Sequence, residues 1–292
     1  MTPNPTPSWV SGERCEIGEN PLWDPASSTL YWIDISGPAV FRRSAGIVQR
    51  VACPKPVGSI YLARGTRLLV ALRGALAWLD WSTEALRLLD IRPPTSEERF
   101  NDGRCDRDGR LWISTIDRKV SRDLGSIVQF DSSLAIAGIT PALAKIGNGI
   151  CFSPDEEFLY FSDSRSRRIY RYPKGSDGTL GPRTLFAELD DDPGRPDGCT
   201  VDSEGCLWSA RVGGGRIDRY SPDGRLIGFL KLPVSHPTHC TFGGPDLKTL
   251  YVTSGKFEHE PVEGYDPALN GAVLAYELDV RGMPEHRFPA PE

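Results

Sequence analysis

The sequence predicts an all-β fold, a six-bladed β-propeller, and three observations predict it. A strand start made of Leu followed by an aromatic or aliphatic residue recurs six times, at Leu30-Tyr31, Leu68-Leu69, Leu111-Trp112, Leu159-Tyr160, Leu207-Trp208 and Leu250-Tyr251. The recurrence runs at about 40 to 50 residues, the period of a four-stranded blade. No stretch carries the apolar periodicity of a long amphipathic helix.

Each start opens a short run rich in Val, Ile, Tyr, Trp and Phe, as in Leu30 to Ile35, Leu111 to Thr115 and Leu250 to Thr253. A second run follows each, at Ala39 to Arg42, Ala75 to Asp80, Ser126 to Asp131, Arg168 to Tyr172, Arg216 to Tyr220 and Ala272 to Leu278. Turn pairs divide the runs. Asp108-Gly109 and Glu204-Gly205 mark tight hairpins between the first and second strands of a unit. Trp9 to Glu16 is expected to give an outer strand to the last blade, which closes the ring and removes an exposed sheet edge. The longest irregular pieces are Arg92 to Arg99, Ala187 to Pro196 and Phe257 to Asn270.

Composition narrows the class. The chain has 292 residues, 39% hydrophobic and 25% charged, with a formal net charge of −5. That charge argues against a nucleic-acid surface and fits a small or neutral partner. No apolar run approaches the roughly 20 residues that span a bilayer. Met1 to Ser8 is Pro- and Thr-rich and reads as a flexible tail without a secretory signal. The 25 prolines and 30 glycines are spread without a composition break, so residues 1–292 read as one domain. The seven cysteines form no Cys-x-x-Cys pair. Cys105, Cys151, Cys199 and Cys240 read as small buried residues on inner strands. A reducing cytoplasm and a monomer are the expectations.

About ten residues before each strand start lies one position of a second repeat: Glu19, Gly58, Asn101, Asn148, Asp197 and His239. In a propeller, equivalent positions of the inner strands converge on the central channel. Five of these six can ligate a metal or form a hydrogen bond. Glu19, Asn148 and Asp197 present two carboxylates and an amide oxygen, hard donors suited to Ca²⁺, Mg²⁺ or Mn²⁺ and able to hold Zn²⁺ or Fe²⁺. One divalent cation is therefore the expected cofactor. Arg99 and Asn101 offer donors and an acceptor to a polyhydroxy ligand. Asp117, which follows Leu111 to Thr115, is expected near the same mouth, and His239 at the sixth ring position is open to metal, proton or substrate roles. The strand-start Trp and Tyr residues are expected to pack between blades rather than stack on a sugar.

These residues fall into motifs that resemble a known family. Gly18-Glu19-Asn20-Pro21-Leu22-Trp23 with Leu30-Tyr31-Trp32-Ile33-Asp34 is similar to the opening of the senescence-marker-protein-30 (regucalcin), gluconolactonase and luciferin-regenerating-enzyme family. Arg99-Phe100-Asn101-Asp102-Gly103, Asn148-Gly149, Pro196-Asp197-Gly198 and Phe242-Gly243-Gly244-Pro245-Asp246 resemble its later signatures, in order, over about residues 13 to 280. The resemblance implies a divalent cation held by Glu19, Asn148 and Asp197, substrate contacts from Arg99 and Asn101, and hydrolysis of a sugar lactone. Two departures stand out: Asn20 replaces the family's usual Gly, and its substrate-contacting carboxylate has only Asp117 as a counterpart.

The expected chemistry is metal-dependent opening of a pentono- or hexonolactone, with Asp197 both ligand and general base and with Arg99, Asn101, Asp117 and His239 around the substrate. No Gly-x-Ser-x-Gly elbow supports a serine-hydrolase route. A non-catalytic cation-binding propeller and a phosphotriesterase-like esterase are the competing readings, since the fold alone does not decide function.

Overall fold

The computed structural model describes residues 6–189, 191, 193–257, 259, 260 and 262–289. The strands form six four-stranded sheets, each antiparallel, set around one axis as a six-bladed propeller. The inner strands are Gly18–Asp24, Val57–Leu62, Glu98–Cys105, Gly147–Phe152, Arg195–Val201 and Pro237–Gly243. Five blades are simple meanders of consecutive strands. The sixth takes its outermost strand, Trp9–Val10, from the other end of the chain. Trp9 lies opposite Ala275 and Val10 opposite Leu274. Ser8 extends the seam by donating its N–H to the Ala275 carbonyl at 2.8 Å. Ser8, just before that strand, is thus tied to the last blade, while residues 1–5 of the expected tail lie outside the described residues.

Burial falls outward along each blade. The inner strand Gly18–Asp24 and the next, Thr29–Asp34, are buried throughout, whereas the outer strand Ile136–Pro141 is largely exposed. The core is not a single mass. Six apolar clusters fill the six gaps between neighbouring blades. Aromatic pairs bridge those gaps, with Trp23 stacked on Tyr251 at 5.7 Å and Trp112 edge-on to Phe152 at 6.1 Å. Such pairs stabilise beyond their area burial by about 0.5–1.5 kcal/mol each. The strand-start aromatics are therefore inter-blade packing, as their sequence positions suggest.

The recurrent Leu-Trp has a local cause. In the third and fifth blades the Trp112 and Trp208 indole N–H groups donate to Asp106 Oδ2 (3.0 Å) and Asp202 Oδ2 (2.8 Å). The second oxygens of those carboxylates accept amides of the preceding hairpins, from Asp108 and Arg110 and from Glu204 and Cys206. Turn and strand start are locked by one side chain.

A feature of all six inner strands sets up the site. Each shifts register against its neighbour at the ring position: after Glu19, Val57, Phe100, Asn148, Pro196 and Pro237. A bulge turns a side chain out of the sheet alternation, here toward the shared axis. Asn20 occupies the first bulge at φ +46°, a left-handed conformation that Asn tolerates better than most non-glycine residues. Its side chain also binds across blades, accepting the Ile60 N–H at 2.7 Å. At Gly198 an added Cβ would lie 2.0 Å from His239 Cδ2, so the fifth bulge closes on the sixth blade only without a side chain.

The far end of the channel is covered by the C-terminal segment. Gly282 N–H donates to the Leu247 carbonyl and Phe288 N–H to that of Leu62, both at 2.8 Å. Arg104 pairs with Glu285 at 3.1 Å. The seven cysteines are free, and Cys105, Cys151, Cys199 and Cys240 are buried on inner strands. Burial pushes the Cys199 thiol well above its ordinary pKa, so it behaves as packing.

Gly198→Ala is expected to cost about 1–3 kcal/mol or more, the penalty of overpacking a filled core, read as a lower midpoint in chemical denaturation.

Candidate metal centre and substrate cavity

The open end of the channel holds a cavity of about 150 Å³ whose lining includes Glu19, Gly58, Arg99, Asn101, Asn148 and Asp197. Five inner strands contribute to it. Five of the six residues that sequence spacing puts in one register line this cavity, each at or beside a bulge.

The polar atoms are held in definite orientations. Asn101 Nδ2 donates to Asn148 Oδ1 at 2.5 Å and to the Gly147 carbonyl at 3.0 Å. Asn148 Nδ2 donates to Ser164 Oγ at 3.0 Å. The Asn148 amide is thereby fixed with its oxygen on the Asn101 side, and that oxygen keeps a second lone pair. Glu19 Oε2 accepts the Asn20 N–H at 2.8 Å. Arg99 Nη1 donates to Asn101 Oδ1 at 3.0 Å, and its buried Nε has no partner among the described residues. Burial, with Arg73 nearby, lowers the Arg99 pKa to about 10, so it stays a cation near neutral pH.

At the cavity floor Asp102 ties three blades together. Its Oδ2 accepts the Gly149 N–H at 2.7 Å and its Oδ1 the Gly103 N–H at 2.8 Å and Asn20 Nδ2 at 3.3 Å. Burial opposes its charge, but His239, Arg104 and these donors outweigh burial and hold it below the usual carboxylate range. Glu19 and Asp197 behave oppositely. Burial, then the charges of Asp197 and Asp102, pushes Glu19 well up. Burial raises Asp197 to about 8, against the pull of Arg195 and with the push of Asp102. Two carboxylates beside a fixed third charge are what a bound divalent cation relieves, and the donor set is all oxygen. The residues fit such an ion.

Two expected substrate contacts stand elsewhere. Asp117 does not line the cavity. Its carboxylate is taken up by the 117–122 turn, accepting the Ser121 N–H (3.0 Å), Ser121 Oγ (2.8 Å) and Arg122 N–H (3.1 Å), and it pairs with the Arg122 guanidinium at 3.2 Å. A side chain so committed anchors a loop. His239 also lies outside the lining, buried beneath Gly198. Its Nδ1 accepts the Cys240 N–H at 2.8 Å and its Nε2 faces Asp102 Oδ1 at 3.5 Å, so it positions Asp102. A further acidic group, Asp202, Glu204 and Cys206, brings one ligand atom each within 4.8 Å of one another. Arg219 already pairs with both carboxylates, at 2.7 Å from Asp202 and 2.6 Å from Glu204.

Asp102, Arg195, Ser164 and Phe257 also line the cavity, and no repeat in the sequence marks them for it. Asp102 reads as the first half of an Asp-Gly turn. Only its place beside Asn101, inside the bulge, signals otherwise.

The raised pair gives a sign to pH dependence. An acid whose pKa is higher folded than unfolded binds an extra proton in the folded state, so stability is lost as pH climbs. Chelator-treated protein is therefore expected to melt lower as pH rises from about 4, the unfolded carboxylate value, through about 8. Added divalent cation should raise the melting temperature more at pH 8 than at pH 5; the opposite order rules out a cation between Glu19 and Asp197. Asp117→Asn is expected to lower the melting temperature while calorimetric cation affinity stays unchanged.

Residues 17–256 match the family described as SMP-30/Gluconolactonase/LRE-like region. The chain is 36% identical to a 6-deoxy-6-sulfogluconolactonase from Pseudomonas putida, over 98% of this chain and 99% of the relative. It is 32% identical to the pentonolactonase XacC of Haloferax volcanii, over 95% and 96% of the two chains. A solved calcium-binding protein, regucalcin from Agrobacterium tumefaciens, superposes with a TM-score of 0.86 at 29% identity, covering 95% of each chain. Fold, ring register and sequence agree: the chain belongs to the SMP-30/gluconolactonase family.

Proposed function

We propose that this protein hydrolyses a sugar lactone to the open aldonic acid, with a divalent cation held by Glu19, Asn148 and Asp197. The observation that carries the reading is the meeting of these three oxygen donors with Arg99 and Asn101 in one cavity. The lactonase relatives support the reaction type. Pentono- and hexonolactones are the substrate class that those relatives suggest.

When bound, the cation supplies Lewis acidity for the lactone carbonyl. The protein supplies orientation and proton transfer. Arg99 lines the cavity with its guanidinium tied to Asn101, which is pinned beside it, so ring hydroxyls meet fixed polar groups. Asp197 is the base. It is a carboxylate in the same cavity as the substrate donors, and the cation it shares would offset the burial and like charge that otherwise favour its protonated form. Water adds to the carbonyl carbon as Asp197 takes its proton. The bond from that carbon to the ring oxygen breaks, and the departing oxygen receives the proton from Asp197.

The regucalcin likeness favours a second reading, cation binding without turnover. One experiment separates the two. Asp197→Asn is expected to lower the rate of acid release from a lactone panel by about 10²–10³-fold, the scale of losing a general base with its ligand role. Exhaustive chelation should abolish turnover and Ca²⁺, Mn²⁺ or Zn²⁺ should restore it. Unchanged rates in Asp197→Asn remove that residue from the chemistry, and cation binding with no turnover on any lactone leaves the second reading.

A further inference from the structure

A second, larger cavity of about 370 Å³ lies against the first, walled by His236, Phe257, Glu260, Val262, Tyr265 and Asn270. Phe257 lines both. An ion pair also spans the two, since Arg195 lines the first, Glu260 the second, and they meet at 2.8 Å. The volume is that of about twelve liquid waters, and a hexose unit has about as many heavy atoms.

Two residues of the second cavity's lining each carry a buried polar atom without a partner among the described residues. His236 is 1% exposed. Its Nδ1 meets Ser235 Oγ at 2.8 Å, and its ring stacks on Phe257 with centroids 5.0 Å apart. Its buried Nε2 has no hydrogen-bond partner among the described residues, and neither has the buried Asn270 Oδ1. Buried polar atoms without partners are rare and costly, and two in one cavity mark a site for something that supplies them. Burial also lowers the His236 pKa, so the imidazole is neutral at pH 7.

We propose that this cavity is a distal subsite for a neutral, hydroxylated sugar ring attached to the lactone, read by His236 Nε2 and Asn270 Oδ1. A hydroxyl satisfies Nε2 in either imidazole tautomer and can donate to the Asn270 oxygen. A phosphate or carboxylate cannot donate, and it would also face Glu260, which Arg195 keeps ionised. Phe257, Val262 and Tyr265 give the apolar walls that suit the C–H face of a sugar ring. The proposal rests on the lactonase reading of the adjoining cavity.

The test compares cellobiono-δ-lactone with glucono-δ-lactone on the intact protein. The disaccharide lactone is expected to have the lower KM, by about tenfold, the scale of one or two added hydrogen bonds. Asn270→Ala and His236→Phe should each bring the ratio of the two KM values back toward one. Equal KM values in the wild-type protein, or variants that leave the ratio unmoved, overturn the subsite. Calorimetric titration with cellobiitol, which cannot be hydrolysed, gives a second readout free of turnover. Saturable heat that disappears in Asn270→Ala supports the subsite, and no heat overturns it. Cellobiitol binding with neither lactone hydrolysed would instead retire the lactonase reading and leave the sugar site standing.

Discussion

Like-charge crowding at the hub is the constraint around which this molecule is arranged. Glu19, Asp102 and Asp197 share one channel mouth, with Glu19 and Asp102 buried and Asp197 half-buried. Asp102 keeps its charge because donors from several blades converge on it. Glu19 has only the Asn20 N–H, and the help of Arg195 and Asn148 to Asp197 is outweighed by burial, so both are driven toward the protonated form. In a low-dielectric setting that imbalance is strong, and a doubly charged ion resolves it without adding a counter-charged side chain. The fold supplies the frame that makes the crowding sustainable. Six clusters between the blades hold the inner strands at fixed distances, so the carboxylates cannot drift apart to relieve it.

The bulges translate that frame into chemistry. A regular strand would send alternate residues into the two inter-blade gaps. An extra residue in each inner strand breaks the alternation at one level, and all six breaks occur at that level. Most residues there are small or polar, while Ile150 of the fourth bulge turns into an inter-blade cluster instead. Gly198 shows how tight this level is, with the His239 ring filling the space its side chain would need. Function and packing thus compete for the same few atoms, and the polar groups of the hub are positioned by the absence of bulk next to them.

Much of this was legible in the sequence, and what was not has a physical reason. Leu111-Trp112 and Leu207-Trp208 announce their blades because a carboxylate-capped hairpin and an indole hydrogen bond repeat with them. Glu19, Asn148 and Asp197 share an offset from those starts, so their convergence follows from the repeat. Asp117, expected from its place after Leu111 to Thr115, and His239, expected from the offset, both lie outside the cavity lining, for different causes. Asp117 follows the second strand of its blade, where the chain turns, and a turn consumes a carboxylate locally. His239 has the right offset, but it follows its bulge rather than preceding or occupying it, so its ring goes beneath the mouth. Phe257 and Asn270 belong to an irregular loop with no repeat to align them, and the Arg195–Glu260 pair spans blade and loop, so only coordinates reveal their neighbours.

The seam of the sixth blade has a temporal side. Trp9 and Ala275 pair across almost the full length of the polypeptide. During synthesis the first blade therefore leaves the ribosome long before its neighbour across the seam exists, and contacts this remote in sequence form slowly. Until then the face of blade one that carries Trp23 and Trp32 has nothing to cover it, an interval in which aggregation competes with completion. Glu19 lies on that same early blade, so the crowding of its carboxylate against Asp197 arises only as the circle shuts.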